Sequence, residues 1–151
     1  MFIETVRHQI RLVKPRSFAG LMALYESNHA RLRQLFGDVA HLPAKTVSSS
    51  QTDMDLHVSR AERCRYTTTL YMTYEFESSN GVRQDPNLLL RVYHDARLAE
   101  AISCCEQPRH HALRGLLLPA TSELERRWTL NVMLNKWLEY CLDNGHNFQP
   151  G

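Results

Sequence analysis

The stretch CRYTTTLYMTYEF, residues 64–76, alternates in polarity from end to end. Successive side chains of a strand point to opposite faces, whereas helical side chains repeat every three to four residues. This pattern therefore fits a strand with one buried face. Cys64, Tyr66, Leu70, Met72, Tyr74 and Phe76 fall on one side. Arg65, Thr67, Thr69, Thr73 and Glu75 fall on the other, with Tyr71 among them. The apolar side, including Tyr66 and Tyr74, reads as core and not as a platform for stacking bases.

Neighbouring strands follow from the same rule. Met54, Leu56 and Val58 alternate with Asp53, Asp55, His57 and Ser59, and SRAERC joins this second strand to the first. SSNGVRQDPN is rich in turn formers and reads as a loop, with LLLRVYH as the next strand.

The segment RVYHDARLAEAISCCEQPRHH gathers His, Cys, Asp and Glu, the side chains that bind metals and move protons. It reads as a hairpin turning at Asp95–Ala96. Cross-strand partners are then Tyr93 with Leu98, Arg91 with Glu100, Leu89 with Ile102, Val92 with Ala99 and Leu90 with Ala101. One face is apolar with small alanines; the other carries an Arg91–Glu100 charge pair, a modest stabiliser of sheets. A helix over ARLAEAISCCE is the rival, because Leu98, Ala101, Ile102 and Cys105 share a helical face. In the hairpin, Cys104 and Cys105 point to opposite faces and cannot both ligate one metal. No zinc-finger spacing occurs, so no metal is expected, even at Cys105, His110 and His111. One of the cysteines reads as a small core residue and the two histidines as solvated loop residues.

Two helices flank the strands. Ser17 opens the first, in which Phe18, Leu21, Met22, Tyr25, Leu32, Leu35 and Phe36 share a face and Gly37 is the stop. Ser122 and Glu125 have capping-box spacing at the head of the second. Leu124, Trp128, Leu130, Met133, Leu134, Trp137, Leu138, Cys141 and Leu142 form its apolar face, ending near Gly145.

Composition narrows function. A net charge of +2 and dispersed Lys/Arg disfavour a dedicated nucleic-acid binder, for which residues 60–65 and 109–127 would supply the arginines. No apolar run approaches the ~20 residues needed to cross a bilayer, and Arg7, His8 and Arg11 break the N-terminus as a signal peptide. The four cysteines form no disulfide framework, which points to a cytoplasmic protein. No nucleophile elbow, phosphate loop or dinucleotide fingerprint is present.

Three segments, RYTTTLYMTYE, RVYHDARLAEAISC and KWLEYCLDNGH, with LYESNHARLRQLF, resemble the small YqiB-like proteins of proteobacteria, a family of unknown function. The resemblance spans roughly residues 18–146 in order. It implies a cytosolic bacterial protein and supplies no catalytic residues. Residues 108–122 depart from the more polar connection of the family.

The expectation is an α+β fold: an antiparallel sheet of about four strands with N- and C-terminal helices packed on one face. Residues 1–16 read as an extended arm, 17–146 as a single domain and 147–151 as a tail. The expected role is a non-enzymatic binding or regulatory module without cofactor, engaging a protein partner or a second copy. One alternative is an enzyme on a nucleotide or phosphate ester, with His94, Asp95, Arg97 and Glu100 near one pocket; the other is a nucleic-acid binder. His94–Asp95 reads foremost as turn chemistry.

Overall fold

The computed structural model describes residues 17–105 and 107–149; the expected N-terminal arm lies outside them. Helix α1 spans Phe18–Phe36, a short 3-10 turn spans Val39–His41, and five strands follow: β1 Lys45–Ser48, β2 Leu56–Arg63, β3 Thr67–Ser78, β4 Gly81–Tyr93 and β5 Leu98–Ser103. Helix α2, Glu123–Asp143, closes the chain. The strands form one antiparallel meander in chain order. The architecture is α+β with both helices feeding one core, and with five strands instead of four. The addition is β1, whose four residues, two of them exposed, are too few to reveal a period.

The alternation in β3 is realised at its centre. Leu70, Met72 and Tyr74 are fully buried. It fails at the start, where Cys64 and Tyr66 precede the strand and Tyr66 is 53% exposed. The expected loop 78–87 is mostly strand, because β3 and β4 pair out to Ser78 and Gly81 and only Ser79–Asn80 turns. Pro86 is tolerated within β4 because the register shifts there, and bulges accept a residue that cannot donate to the ladder. Thr73 Oγ1 stitches the irregularity, accepting from Asn87 N at 3.0 Å and donating to Tyr74 O at 2.9 Å.

The hairpin reading of residues 91–103 holds, and the helical rival does not. Tyr93 pairs with Leu98, Val92 with Ala99, Arg91 with Glu100 and Leu90 with Ala101. A shift then places Leu89 opposite Ser103 instead of Ile102. Arg91 and Glu100 are cross-strand neighbours without forming the expected ion pair. Tyr93 Oη donates to Glu100 Oε1 at 2.6 Å, and Arg91 Nε donates to Thr69 Oγ1 at 3.3 Å. A nearer hydroxyl on the same face takes the carboxylate.

Both helix caps form as their spacing requires. Ser17 accepts from Gly20 N, and Ser122 accepts from Glu125 N. The box at Ser122 is displaced by one residue, since Glu125 reaches back to Thr121 N at 3.1 Å. The apolar faces run to Met133, Leu134, Trp137, Leu138 and Cys141, whereas Phe18 and Leu124 in the first turns are exposed and Trp128 is half-buried. Residues 147–149, expected as a tail, pack on α1: Phe148 stacks on Phe36 at 4.6 Å and its N–H donates to Leu35 O at 2.9 Å.

A sheet edge exposes unpaired backbone groups that would recruit another strand. Along β5 they are capped from the helices. Asn131 accepts from Ala101 N at 2.7 Å, and Asn28 donates to Ala99 O at 3.3 Å and to Asn131 Oδ1 at 3.2 Å. Asn135 adds donors to Asn28 Oδ1 and Ser27 Oγ. This buried amide network docks α1 and α2 on β5. It thereby fixes the end of α1 beside the β4–β5 turn, where the cavity described next opens.

Candidate functional site

Of the four residues considered from sequence, the structure brings two together. His94 and Arg97 line a cavity of about 560 Å3, which Arg33 and His29 of α1 share. Asp95 sits on the exposed turn, and Glu100 lies on β5 bonded to Tyr93. Neither belongs to the cavity wall.

Local structure explains the grouping. His29 and Arg33 are four residues apart near the end of α1, so they occupy one helix face. His94 and Arg97 bracket the β4–β5 turn. Arg97 has φ 55°, a left-handed conformation that is costly for a residue with a Cβ. His94 Nε2 meets Thr68 Oγ1 at 2.9 Å, which fixes the ring and leaves Nδ1 for other partners. Burial lowers the His29 pKa, and the neighbouring charges of Arg33, Arg97 and His94 lower it further. Among the described residues neither Arg33 nor Arg97 pairs with a carboxylate. The one acid in the wall, Asp38, is engaged by His41 and by Ala40 N. The cavity therefore presents net positive charge.

A second cluster looks more like a catalytic centre. Asp53, whose side chain is 1% exposed, accepts from His110 Nε2 on Oδ1 at 2.9 Å. On Oδ2 it accepts from Tyr74 Oη at 2.7 Å and His146 Nε2 at 2.9 Å. Tyr140 Oη approaches Oδ1 at 3.4 Å. Burial would raise the carboxyl pKa, but the hydrogen bonds from Tyr74, His146, His110 and the Met54 N–H outweigh it and hold the group below its ordinary value.

The histidines of this cluster are fully occupied. Ala112 N donates to His110 Nδ1 at 3.1 Å, so that nitrogen carries no proton and Nε2 is the donor to Asp53. His146 Nδ1 meets Ser48 Oγ at 3.0 Å, and that hydroxyl also accepts from Asn147 N. Trp137 Nε1 donates to Tyr74 Oη at 3.0 Å, closing the network from the core side. His110 is thus buried, not solvated as its sequence context suggested, because Tyr74 stacks on its ring at 4.4 Å. Both of its ring nitrogens are spent internally, so it has none to offer a substrate. The cluster ties the loop 49–55, the loop 108–114 and the chain end to the sheet.

Cys105, His110 and His111 do not converge. Cys105 donates to Asp85 Oδ1 at 3.5 Å, His110 to Asp53, and His111 lies beside Tyr140. Burial, with the Asp85 charge, pushes the Cys104 thiol up to about 11 and the Cys105 thiol up to about 12. Among the described residues no group of three potential ligands is placed to hold a metal.

Sequence reasoning missed His29 and Arg33, although their four-residue spacing before Gly37 was a usable signal. Asp53, His110 and His146 carried no local signal, because the network joins residues far apart in the chain.

The sequence pattern of the family described as "Protein of unknown function (DUF1249)" matches residues 31–147. The chain is 29% identical over 128 residues to the "Uncharacterized protein YqiB" of Escherichia coli strain K12, covering 85% of this chain and 90% of the relative. The proteins of the same name from strains O6:H1 and O157:H7 match to the same extent. No solved structure matches. No helix among the described residues is long and apolar enough to cross a membrane.

Proposed function

This chain belongs to the DUF1249 family of proteins of unknown function, and we propose that it is a non-enzymatic binding module for a small phosphate-type anion. The observation that carries this reading is that Arg33 and Arg97, two guanidinium groups without carboxylate partners among the described residues, line one cavity with His29 and His94. Guanidinium suits an oxyanion because its planar fork donates two parallel hydrogen bonds. A bound anion also offsets the repulsion between the two guanidiniums. The cytoplasm, as the expected location, would supply many such anions.

The alternative, an enzyme acting on a nucleotide or phosphate ester, would need a general base and a nucleophile in the same wall. Among the described residues the wall offers imidazoles as bases but no Ser, Thr or Cys nucleophile, and its carboxylate, Asp38, is engaged by its neighbours. Binding without turnover is the better fit. The dispersed arginines favour a small ligand over nucleic acid, and a protein partner would then read the liganded state.

Titration with inorganic phosphate and pyrophosphate, followed by calorimetry and amide NMR, tests the reading. Saturable binding is expected, with shifts at His29, His94 and Arg97. Arg33→Ala and Arg97→Ala should each weaken it about tenfold or more, and Arg83→Ala, at a different cavity, should not. Binding that is absent, or insensitive to both arginines, overturns the proposal. Release of phosphate from pyrophosphate by the purified chain would overturn the non-enzymatic part.

A further inference from the structure

Tyr66 is a large aromatic side chain left 53% exposed, at the turn between β2 and β3. Its carbonyl accepts from His94 N at 2.9 Å, extending the β3–β4 register by one pair beyond Thr67–Tyr93. Tyr66 therefore stands directly across from a residue of the basic cavity. The Arg65 guanidinium lies over one face of its ring, 5.2 Å from the centroid. A cation on one face holds an aromatic ring in place and leaves the other face for a planar group. Glu62, the nearest acid on β2, accepts from Cys64 Sγ.

Resting on the anion-binding reading, we propose that the ligand is a nucleoside monophosphate. Its phosphate meets Arg33 and Arg97 in the cavity, and its base stacks on Tyr66 at the cavity mouth. Two unrelated features support the assignment. The cavity supplies cationic donors for an oxyanion, and the neighbouring turn supplies a held, exposed ring that the core does not use. Stacking tolerates any base because every base has a flat face, so purine and pyrimidine monophosphates should both bind, purines more tightly through their larger overlap.

The test compares adenosine monophosphate, ribose 5-phosphate and inorganic phosphate by calorimetry on the full chain. Adenosine monophosphate should bind about tenfold or more tighter than ribose 5-phosphate, the difference being the stacked base. Tyr66→Ala should remove that difference and leave ribose 5-phosphate binding unchanged. Tyr66→Phe should keep it, which separates ring stacking from a role of the hydroxyl. Because Tyr66 is exposed, neither substitution should unfold the chain. Equal affinity of the two sugar phosphates for the wild-type chain overturns this inference and leaves the anion site standing. Tighter binding of the monophosphate that survives Tyr66→Ala also overturns it. Failure of all three probes overturns both readings. A single-stranded octanucleotide that binds where adenosine monophosphate does not overturns the mononucleotide assignment in favour of a strand.

Discussion

The Asp53 network and the Arg33–Arg97 cavity each gather two histidines among polar neighbours and have opposite characters. Around Asp53, a carboxylate, two imidazoles and two phenols satisfy one another with little left over. In the cavity, two guanidiniums and two imidazoles share a wall whose one acid among the described residues, Asp38, is engaged by His41 and Ala40 N. A buried polar group left unpaired costs more than a paired one contributes, so a closed network is a structural device. An open set of like charges opposes folding slightly and persists where something else offsets it. A cluster of catalytic-looking residues is thus a weaker sign of function than an incomplete one. The difference can be measured residue by residue.

The largest expected effect is at Asp53. Asp53→Asn replaces an acceptor oxygen by a donor that faces the His and Tyr donors. By the usual cost of leaving buried donors unmatched, about 1–3 kcal/mol each, it should destabilise the fold by several kcal/mol. Denaturant unfolding gives the number. Phosphate binding per folded molecule should be unchanged, since Asp53 is not in the wall of the basic cavity. The sign with pH is also set. The Asp53 carboxyl is depressed in the fold, so its contribution is present above the unfolded value of about 3.9 and disappears as pH falls through the lower folded value. Asp53→Asn should flatten the acid limb of the stability curve. A mild substitution with an unchanged acid limb would place Asp53 among the spare groups and invert the comparison.

Arg97 is the counterpart in the open region. A non-glycine residue in the left-handed region costs roughly 1–2 kcal/mol, of which glycine's greater unfolded freedom would return about half. Arg97→Gly should therefore leave the thermal midpoint unchanged or raise stability by up to about 1 kcal/mol, while weakening phosphate binding as Arg97→Ala does. Opposite signs on stability and binding would mark a residue kept for its ligand. A loss of stability would show that Arg97 serves the turn.

What could be read from sequence follows the range of the interactions. The centre of the β3 alternation, the Ser17 and Ser122 caps, and the pairings from Tyr93–Leu98 to Leu90–Ala101 rest on neighbours within about a dozen residues and appeared as expected, whereas the start of the alternation and the second half of the Ser122 box did not. The shift beyond Leu90, the pairing of β4 through Pro86 and the position of Tyr66 depend on what lies above or beside the strand, which no local period records. Half of the basic cavity was legible as His94 and Arg97. The other half needed α1 to be docked on β5, and that is decided by Asn28, Asn131 and Asn135 meeting across more than 70 residues. The Asp53 network was not legible at all.

Glu100 shows a smaller effect of the same kind. Its carboxylate accepts the Tyr93 hydroxyl and lies outside the cavity. Glu100→Gln keeps an acceptor oxygen and loses only charge assistance, so the cost should be within about 1 kcal/mol. Reversing the charges of Arg91 and Glu100 together should restore little, because the two do not form an ion pair in the first place. A strong coupling in the double-mutant cycle would show that they pair in solution. Loss of phosphate binding in Glu100→Gln would bring this residue back to the site.

The smallest effect, and the finest test of the open cavity, is the titration of His29. Burial first, then Arg33, Arg97 and His94, depress its pKa below 6.5. The fold prefers the neutral ring, so the unfolded chain binds the proton first as pH falls. The contribution to stability is complete above about 6.5 and is lost as pH drops through the folded value. An anion in the cavity reverses the preference, because the imidazolium then has a partner. Sulfate is the suitable probe, being a dianion throughout this range where phosphate itself titrates. Stability without sulfate should decline from pH 7 towards pH 5, and the protection given by sulfate should grow over the same interval. In His29→Gln both slopes should shrink together. If only the first slope changes, His29 is a buried ring that resists protonation and the anion does not contact it. If neither changes, the charges of Arg33 and Arg97 are neutralised by solvent ions in the free protein, and the cavity is no more open than the Asp53 network.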